Sequence, residues 1–465
     1  MSTECKLMLT ETFEAPPIRT NVPAKKRVLV VTYDFPPNRT SAVYRMTGLT
    51  RSLPQYGWHP TVVTIQSRGV VQEPALLEKL PPEVEIVRTK FLRINAWEDD
   101  VAGAIHGVGG LRSDTNEASK RRRFDSILRS FAAFVRSTLY FPDDTVGWIP
   151  YALSAAIKLH REHPFDVIYT TNPPRSSPVV GLLLKNLLGI PLVTEFMDPW
   201  YPPVRPVRRK SEEWLQARLL RRSERVVVMV RQHAEELMRS FSVRAEKFVV
   251  VRNGFFEEDF ATIEDTEPNE LDPAYFHLSH FGTLYPGNQG NFFIALAELI
   301  KECPELKNVI RLHLVGFPCE DVVRYAQESE LKEITEFHEF MPMREKVLRM
   351  MRSSDCLVVC WGRPDFSRLA IAGKTYDYLR VGRPILAVTV TGGGIEELVK
   401  QGQAGWVVPP DDTEGIKRIL RQVFGDLRKK KLSGPPRPEY VAQFRWDRLA
   451  ESLAGAFEEA TGHVA

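Results

Sequence analysis

At 465 residues the chain is too long for a single hydrophobic core, so two domains are expected. Its 43% hydrophobic and 26% charged residues are ordinary globular usage and exclude a disordered, collagenous or coiled-coil chain. The formal charge of +3 is nearly balanced, but segments 120–140 (six basic residues, one acidic) and 204–225 (eight basic, three acidic) are locally cationic.

Residues 1–26 are polar and proline-bearing and lack the apolar stretch of a secretory signal, so they read as a tail. No apolar run reaches the roughly 20 residues needed to span a bilayer. RVLVVTY (27–33) begins a series of continuous apolar runs of the kind that parallel strands show when helices cover both faces. HPTVVTI (59–65), EVEIVRT (83–89), FDVIYTT (165–171), PLVTEF (191–196), RVVVMV (225–230) and KFVVVRN (247–253) follow, with helical patterns such as 43–56 and 149–162 between them. Residues 98–119 lack periodicity and read as a loop. Residues 257–273 are acidic and weakly periodic, as an interdomain linker would be.

A second series starts at FHLSHFG (276–282). It continues through IRLHLVG (310–316), ITEFHEF (334–340), DCLVVCW (355–361), PILAVTV (384–390) and GWVVPP (405–410). Helices are expected at 291–302, 343–353, 372–381, 394–402, 412–426 and 446–461. The expected fold is α/β, with two tandem doubly wound Rossmann-like domains facing across a cleft. The divisions are a tail to 26, an N-terminal domain over 27–256, a linker over 257–274, a C-terminal domain over 275–430 and a terminal segment with a last helix over 431–465. The cysteines Cys5, Cys303, Cys319, Cys356 and Cys360 form no C-x-x-C pair, which supports neither a disulfide framework nor a cysteine zinc site. Cys356 and Cys360 read as core residues in a reducing cytosol.

Open α/β sheets bind ligands beyond the carboxyl ends of their strands, so those ends are where chemistry is sought. After the first run, Thr40 and Ser41 open a helix and can present amides to a substrate. IPLVTEFMDPW (190–200) ends in Glu195, Asp198 and Trp200. An acid beside an aromatic there can bind a sugar hydroxyl and stack on its apolar face, whereas the bland reading is a helix cap. FGTLYPGNQGN brings Gly282 and Thr283 to a glycine-bearing turn that can approach a phosphate, although glycine turns alone are weak signals. In SRLAIAGKTYDYLRVGRPIL (367–386) a helix is expected from about Ala370. Amides at Ile371, Ala372 and Gly373 would hold a diphosphate, Lys374 would add charge and Asp377 would take a ribose hydroxyl pair. The Gly392–Gly394 run also opens a helix.

The order RVLVVTYDFPP, VIYTTNPPRSS, PLVTEFMDPW, VVRNGF, FGTLY and IAGKTYDYL-RVGRPIL, over about residues 27–425, resembles the glycosyltransferases of family 4. The resemblance implies the GT-B fold and retaining transfer of a sugar from a nucleotide sugar. The C-terminal domain would hold the donor and the N-terminal domain a glycan or lipid-linked acceptor. Lys374 matches the family's phosphate contact and Asp377 its ribose-binding glutamate, shortened by one carbon. Asp198 falls near the reacting sugar and is the expected catalytic residue. No cofactor or metal is implied at the site, in keeping with the absence of a D-x-D. The chain departs from the family at Leu369, where the first glutamate of its pair would stand, and in a cation-free TLYPGNQGN loop for which Arg363 or Arg368 would have to substitute. These departures leave open a catalytically weakened binding protein, and a sugar-nucleotide epimerase on the same fold is a further alternative. An oxidoreductase is disfavoured because no G-x-G-x-x-G follows the first strand.

Segment 120–140 adds an apolar stripe (Leu128, Phe131, Phe134, Val135) to its cations (Arg121, Arg122, Arg123, Arg129, Arg136). That pattern suits either a helix lying on an anionic membrane surface or one packed in the core. A nucleic-acid partner has no accompanying motif. The expected location is cytoplasmic, on the inner membrane face if the segment docks there.

Overall fold

The structure is a computed structural model, and it describes residues 25–66, 72–92, 141–200, 206–264, 270–341, 343–428 and 436–462. The seven runs of the first half become β1 (Lys26–Val31), β2 (Trp58–Ile65), β3 (Glu85–Thr89), β4 (Val167–Asn172), β5 (Leu192–Phe196), β6 (Arg225–Val228) and β7 (Phe248–Val250). They form one parallel sheet in the order β3-β2-β1-β4-β5-β6-β7. The second half supplies β8 (Phe276–Phe281), β9 (Ile310–Val315), β10 (Thr335–His338), β11 (Cys356–Trp361), β12 (Ile385–Thr389) and β13 (Gly405–Val408), in the order β10-β9-β8-β11-β12-β13. Each sheet therefore reverses strand order at its first strand, which opens a crevice at the carboxyl ends of β1 and β4 in one domain and of β8 and β11 in the other. Both faces of each sheet are covered, as the unbroken apolar runs required: β4, β5, β8, β11 and β12 are buried at every residue.

Among the described residues no helix is long and apolar enough to cross a membrane. Segment 120–140 lies outside the described residues. Where an acidic linker was expected, a helix runs from Glu257 to Glu264 and buries Phe260 and Ile263. Those two side chains join a cluster with Leu348, Met351 and Leu379 of the second domain, so the apolar residues fix the segment although its charges dominate its composition. The last helix, Trp446–Thr461, returns to the first domain. Its Trp446, Leu453 and Phe457 pack with Val28, Val30 and Tyr169 on β1 and β4. The two chain crossings between domains lie side by side, with the Phe255 N–H donating to the Phe444 carbonyl at 3.2 Å.

Candidate functional site

The carboxyl ends of the two sheets meet through apolar side chains. Met197 and Val230, just beyond β5 and β6, share a buried cluster with Ile371, Ala372 and Ile395 of the second domain. Gly394 is small because of this contact: a Cβ there would lie 2.7 Å from Ile371 Cδ1 and 2.9 Å from Val230 Cγ1.

On the second-domain side, Lys374 opens the helix Lys374–Val381, with Gly373 as its N-cap. The helix thus starts four residues later than the expected Ala370, because the preceding residues form a tight turn. The Thr375 and Tyr376 amides bond to the carbonyls of Ala372 (2.9 Å) and Gly373 (3.2 Å). Among the described residues, the amides of Ile371, Ala372, Gly373 and Lys374 have no hydrogen-bond partner, so the available donors lie in this turn and at the helix start. The Lys374 ammonium donates to Nε2 of His280, 2.7 Å away on β8, and His280 Nδ1 is 3.1 Å from the Val358 carbonyl. Because that carbonyl can only accept, Nδ1 carries the proton and Nε2 the lone pair. Burial, followed by the neighbouring Lys374 charge, holds His280 well below the ordinary histidine range. Burial also pushes the Lys374 pKa down to about 7.

Gly282 follows β8 with φ +86°, a left-handed conformation, and a Cβ on it would stand 3.9 Å from Lys374 Nζ. Gly282 and Lys374 are therefore brought together, with Thr283 next along a half-buried turn. Of the two arginines considered as substitutes for the missing loop cations, Arg363 packs its Cγ 3.6 Å from the Cβ position of Gly287 in the 283–290 loop. Arg368 places its Nε 4.0 Å from that of Gly392. The Gly392 amide itself is taken by the Glu396 carboxylate at 2.5 Å.

Asp377 lies one turn beyond Lys374, but its carboxylate is already engaged. Arg344 makes a bidentate pair with it, Nη1 to Oδ2 at 2.9 Å and Nη2 to Oδ1 at 2.7 Å. Arg344 Nε also donates to Asp259 at 3.0 Å. Each oxygen of Asp377 keeps a second lone pair, so the bond to arginine orients the carboxylate without exhausting it.

On the first-domain side, Asp198 follows β5, half-buried and without a hydrogen-bond or ion-pair partner among the described residues. Burial, reinforced by the Glu195 charge, raises its pKa to about 6. Trp200 lies 5.7 Å from Phe196 with the Arg175 guanidinium 5.0 Å over its ring, and its buried indole N–H has no partner among the described residues. Thr40 is a helix cap, its Oγ1 accepting from the Val43 amide at 3.2 Å, while Ser41 beside it is exposed.

Glu195 corrects the sequence reading. It is wholly buried, accepts from Arg45 Nε at 2.7 Å and from the Tyr169 hydroxyl at 2.5 Å, and faces the core instead of an acceptor. Arg45, 1% exposed, also donates to the carbonyls of Val251 (2.8 Å) and Arg252 (2.6 Å). The pair ties the helix Ser41–Ser52 to β4, β5 and the end of β7. Sequence reasoning passed over His280, Arg344 and His233. His280 had a legible signal, a polar residue inside an apolar run just before a glycine turn. His233, buried behind Phe196 with neither ring nitrogen partnered among the described residues and its pKa lowered to about 4 by burial, had none.

Two doubly wound domains with their strand ends opposed, a cation-bearing turn on one and a half-buried carboxyl on the other, have the architecture of GT-B glycosyltransferases. Comparison with known proteins gives the family. Residues 42–254 match the model of the glycosyl transferase 4-like domain and residues 277–426 that of glycosyl transferases group 1, so the chain belongs to the group 1 glycosyltransferases of family 4 and is an enzyme of that class. It is 22% identical over 308 residues to a D-inositol 3-phosphate glycosyltransferase of Kribbella flavida, covering 62% of this chain and 70% of that one. Against two Streptomyces proteins of the same name, the match spans about half of their length. The sucrose-phosphate synthase of Thermosynechococcus elongatus shares the fold, with a TM-score of 0.60 and 14% identity over 94% of this chain and 100% of that one. So does Anabaena HepE, solved in complex with UDP, with a TM-score of 0.54 and 14% identity over 92% of this chain and 94% of that one.

Proposed function

We propose that the chain transfers a sugar from a nucleotide-sugar donor to a glycan or lipid-linked acceptor, with retention at the anomeric carbon. The observation that carries this reading is the convergence of Lys374, the partnerless amides of the 371–374 turn and the close backbone approach at Gly282, all at the carboxyl end of the second sheet. A diphosphate satisfies that group of donors. The leaving phosphate gains charge as the glycosidic bond breaks, and donors already aimed at it stabilise the transition state more than the ground state. Lys374 and the turn amides take that charge, Asp377 takes the ribose hydroxyls, and no step is assigned to a metal. Asp198, on the opposing sheet, faces the reacting sugar, where its carboxylate stabilises the positive charge developing on the ring. Trp200 and Ser41 line the acceptor side. The UDP held by Anabaena HepE is consistent with a nucleotide donor.

The names of the curated relatives, transferases such as the α-D-kanosaminyltransferase of Streptomyces kanamyceticus, favour transfer over the epimerase and binding-protein alternatives. A cytoplasmic location with membrane contact through 120–140 belongs to this proposal and rests on the composition of that segment alone. Binding to anionic but not neutral vesicles, lost on changing Arg121, Arg122 and Arg123 to Glu, is its expected signature. The test of the function is a thermal-shift screen of nucleotide sugars, followed by NMR assignment of the product anomer. Selective stabilisation and an unchanged anomeric configuration are expected. No stabilisation by any nucleotide sugar overturns the donor assignment, and an inverted product overturns retention.

A further inference from the structure

Away from the Lys374 turn, the edge of the second sheet carries a line of imidazoles. His277 on β8, His313 on β9 and His338 on β10 project from the same sheet face, with His277 Nδ1 2.8 Å from His313 Nε2 and His313 Nδ1 3.0 Å from His338 Nε2. They line a cavity of about 430 Å³ shared with Glu336, Lys346 and Met350.

The protons along this line are determined by its first member. His277 Nε2 is 2.7 Å from the Asp272 carbonyl, which only accepts, so Nε2 carries the hydrogen and Nδ1 a lone pair. His313 Nε2 must then donate to His277, which leaves the lone pair of His313 on Nδ1. That lone pair accepts from His338 Nε2 at 3.0 Å, and Glu336 Oε2 stands 3.4 Å from His313 Nδ1 and 3.7 Å from His338 Nε2. No hydrogen lies between His313 Nδ1 and the carboxylate, so the two acceptors share no donor of their own.

The three atoms form a triangle with sides of 3.0, 3.4 and 3.7 Å. Donors on a tetrahedral zinc ion at about 2.0–2.1 Å stand about 3.3 Å apart. The triangle therefore has the size of one face of a zinc tetrahedron. His277 occupies the position of the outer partner that fixes a ligating histidine's tautomer. Glu336 is half-exposed on the cavity, which leaves an entry path. The nearby cation Arg311 is 4.0 Å from Glu336 but directs its Nη1 to the Lys307 and Ile310 carbonyls, at 3.0 and 2.7 Å.

We propose that His313 Nδ1, His338 Nε2 and Glu336 bind a divalent zinc-like transition-metal ion that pins β9 to β10 at the edge of the donor domain. On binding, His338 places its proton on Nδ1 and presents the Nε2 lone pair. The ion is bound intact, with no bond made or broken in a substrate. It is separate from the sugar-transfer site, and its test does not depend on transfer activity.

The experiment uses the full-length, tag-free protein stripped with a chelator and titrated with Co²⁺ and then Zn²⁺. One equivalent per chain, with the intense visible bands of tetrahedral Co(II) and displacement by zinc, is expected. Glu336→Gln, at a half-exposed position that leaves folding intact, should weaken binding at least tenfold, and adding His338→Ala should abolish the tetrahedral spectrum. His277→Gln should weaken binding about 10–100-fold while keeping that spectrum. A wild-type protein without stoichiometric tetrahedral cobalt overturns the proposal. So does a folded Glu336→Gln/His338→Ala protein, checked by circular dichroism, that binds as the wild type does.

Discussion

Burial leaves the Lys374 pKa at about 7 in the ligand-free protein, so near neutral pH only about half of the molecules carry the ammonium that a diphosphate needs. An anion seated on the 371–374 turn favours the charged form and returns the pKa towards its ordinary value. Donor binding must therefore take up a proton. By linkage the uptake is about half a proton at pH 7 and about 0.9 at pH 8, and affinity falls about tenfold between pH 6 and pH 8. The assay is calorimetric titration with a nucleotide sugar at pH 6, 7 and 8, in two buffers of different ionisation enthalpy. The sugar ester is required because a free terminal phosphate itself titrates near pH 6. Lys374→Met should bind weakly at every pH, with no buffer-dependent heat. Wild-type affinity that is flat from pH 6 to 8, with no proton uptake, refutes the placement of the diphosphate on this lysine. The same lysine affects the empty protein with a definite sign. Its pKa is lower folded than unfolded, so the unfolded chain binds more protons between about pH 7 and 10.5, and this group's contribution to stability rises with pH across that window.

Asp198→Asn should lower kcat more than donor affinity, and in the wild type kcat should rise as pH passes upward through about 6, where the carboxylate forms; a pH–rate profile of both proteins checks this. Asp377→Asn should weaken donor binding and also remove one of the two carboxylates that hold Arg344, so the stability losses of Asp377→Asn and Arg344→Met should fall short of additive in a double-mutant cycle followed by denaturant unfolding. Glu195→Gln should cost about 3–5 kcal/mol, because it leaves the Arg45 guanidinium buried without a counter-charge. The expected thermal shift is at least about 6 °C, with kcat retained below the transition; a mutant of normal stability and lost turnover would return Glu195 to the acceptor site.

The strands were legible because a strand covered on both faces has no polar alternation to disguise it, and every apolar run became one. The helix at Lys374 was placed too early because IAG contains no side-chain cap to mark its start. Asp198 and Glu195 looked alike in sequence, two acids at one strand end. What separates them is Arg45, 150 positions away, which reaches one and not the other. Arg344 escaped notice for the same reason, since its partner Asp377 is 33 positions distant. The histidine line could not be read locally either. It takes one residue from each of three strands, separated by 36 and 25 positions, and only the parallel register brings them together.

The return of the helix Trp446–Thr461 to the first domain has a consequence for synthesis. The second domain is one uninterrupted stretch, so its six-stranded sheet is complete once β13 has left the ribosome. The first domain is made earlier but holds an open apolar face on β1 and β4 until Trp446, Leu453 and Phe457 arrive to cover it. The domain made first is therefore the last to have its sheet covered. A chain that ends before residue 446 would leave that face of the first domain open.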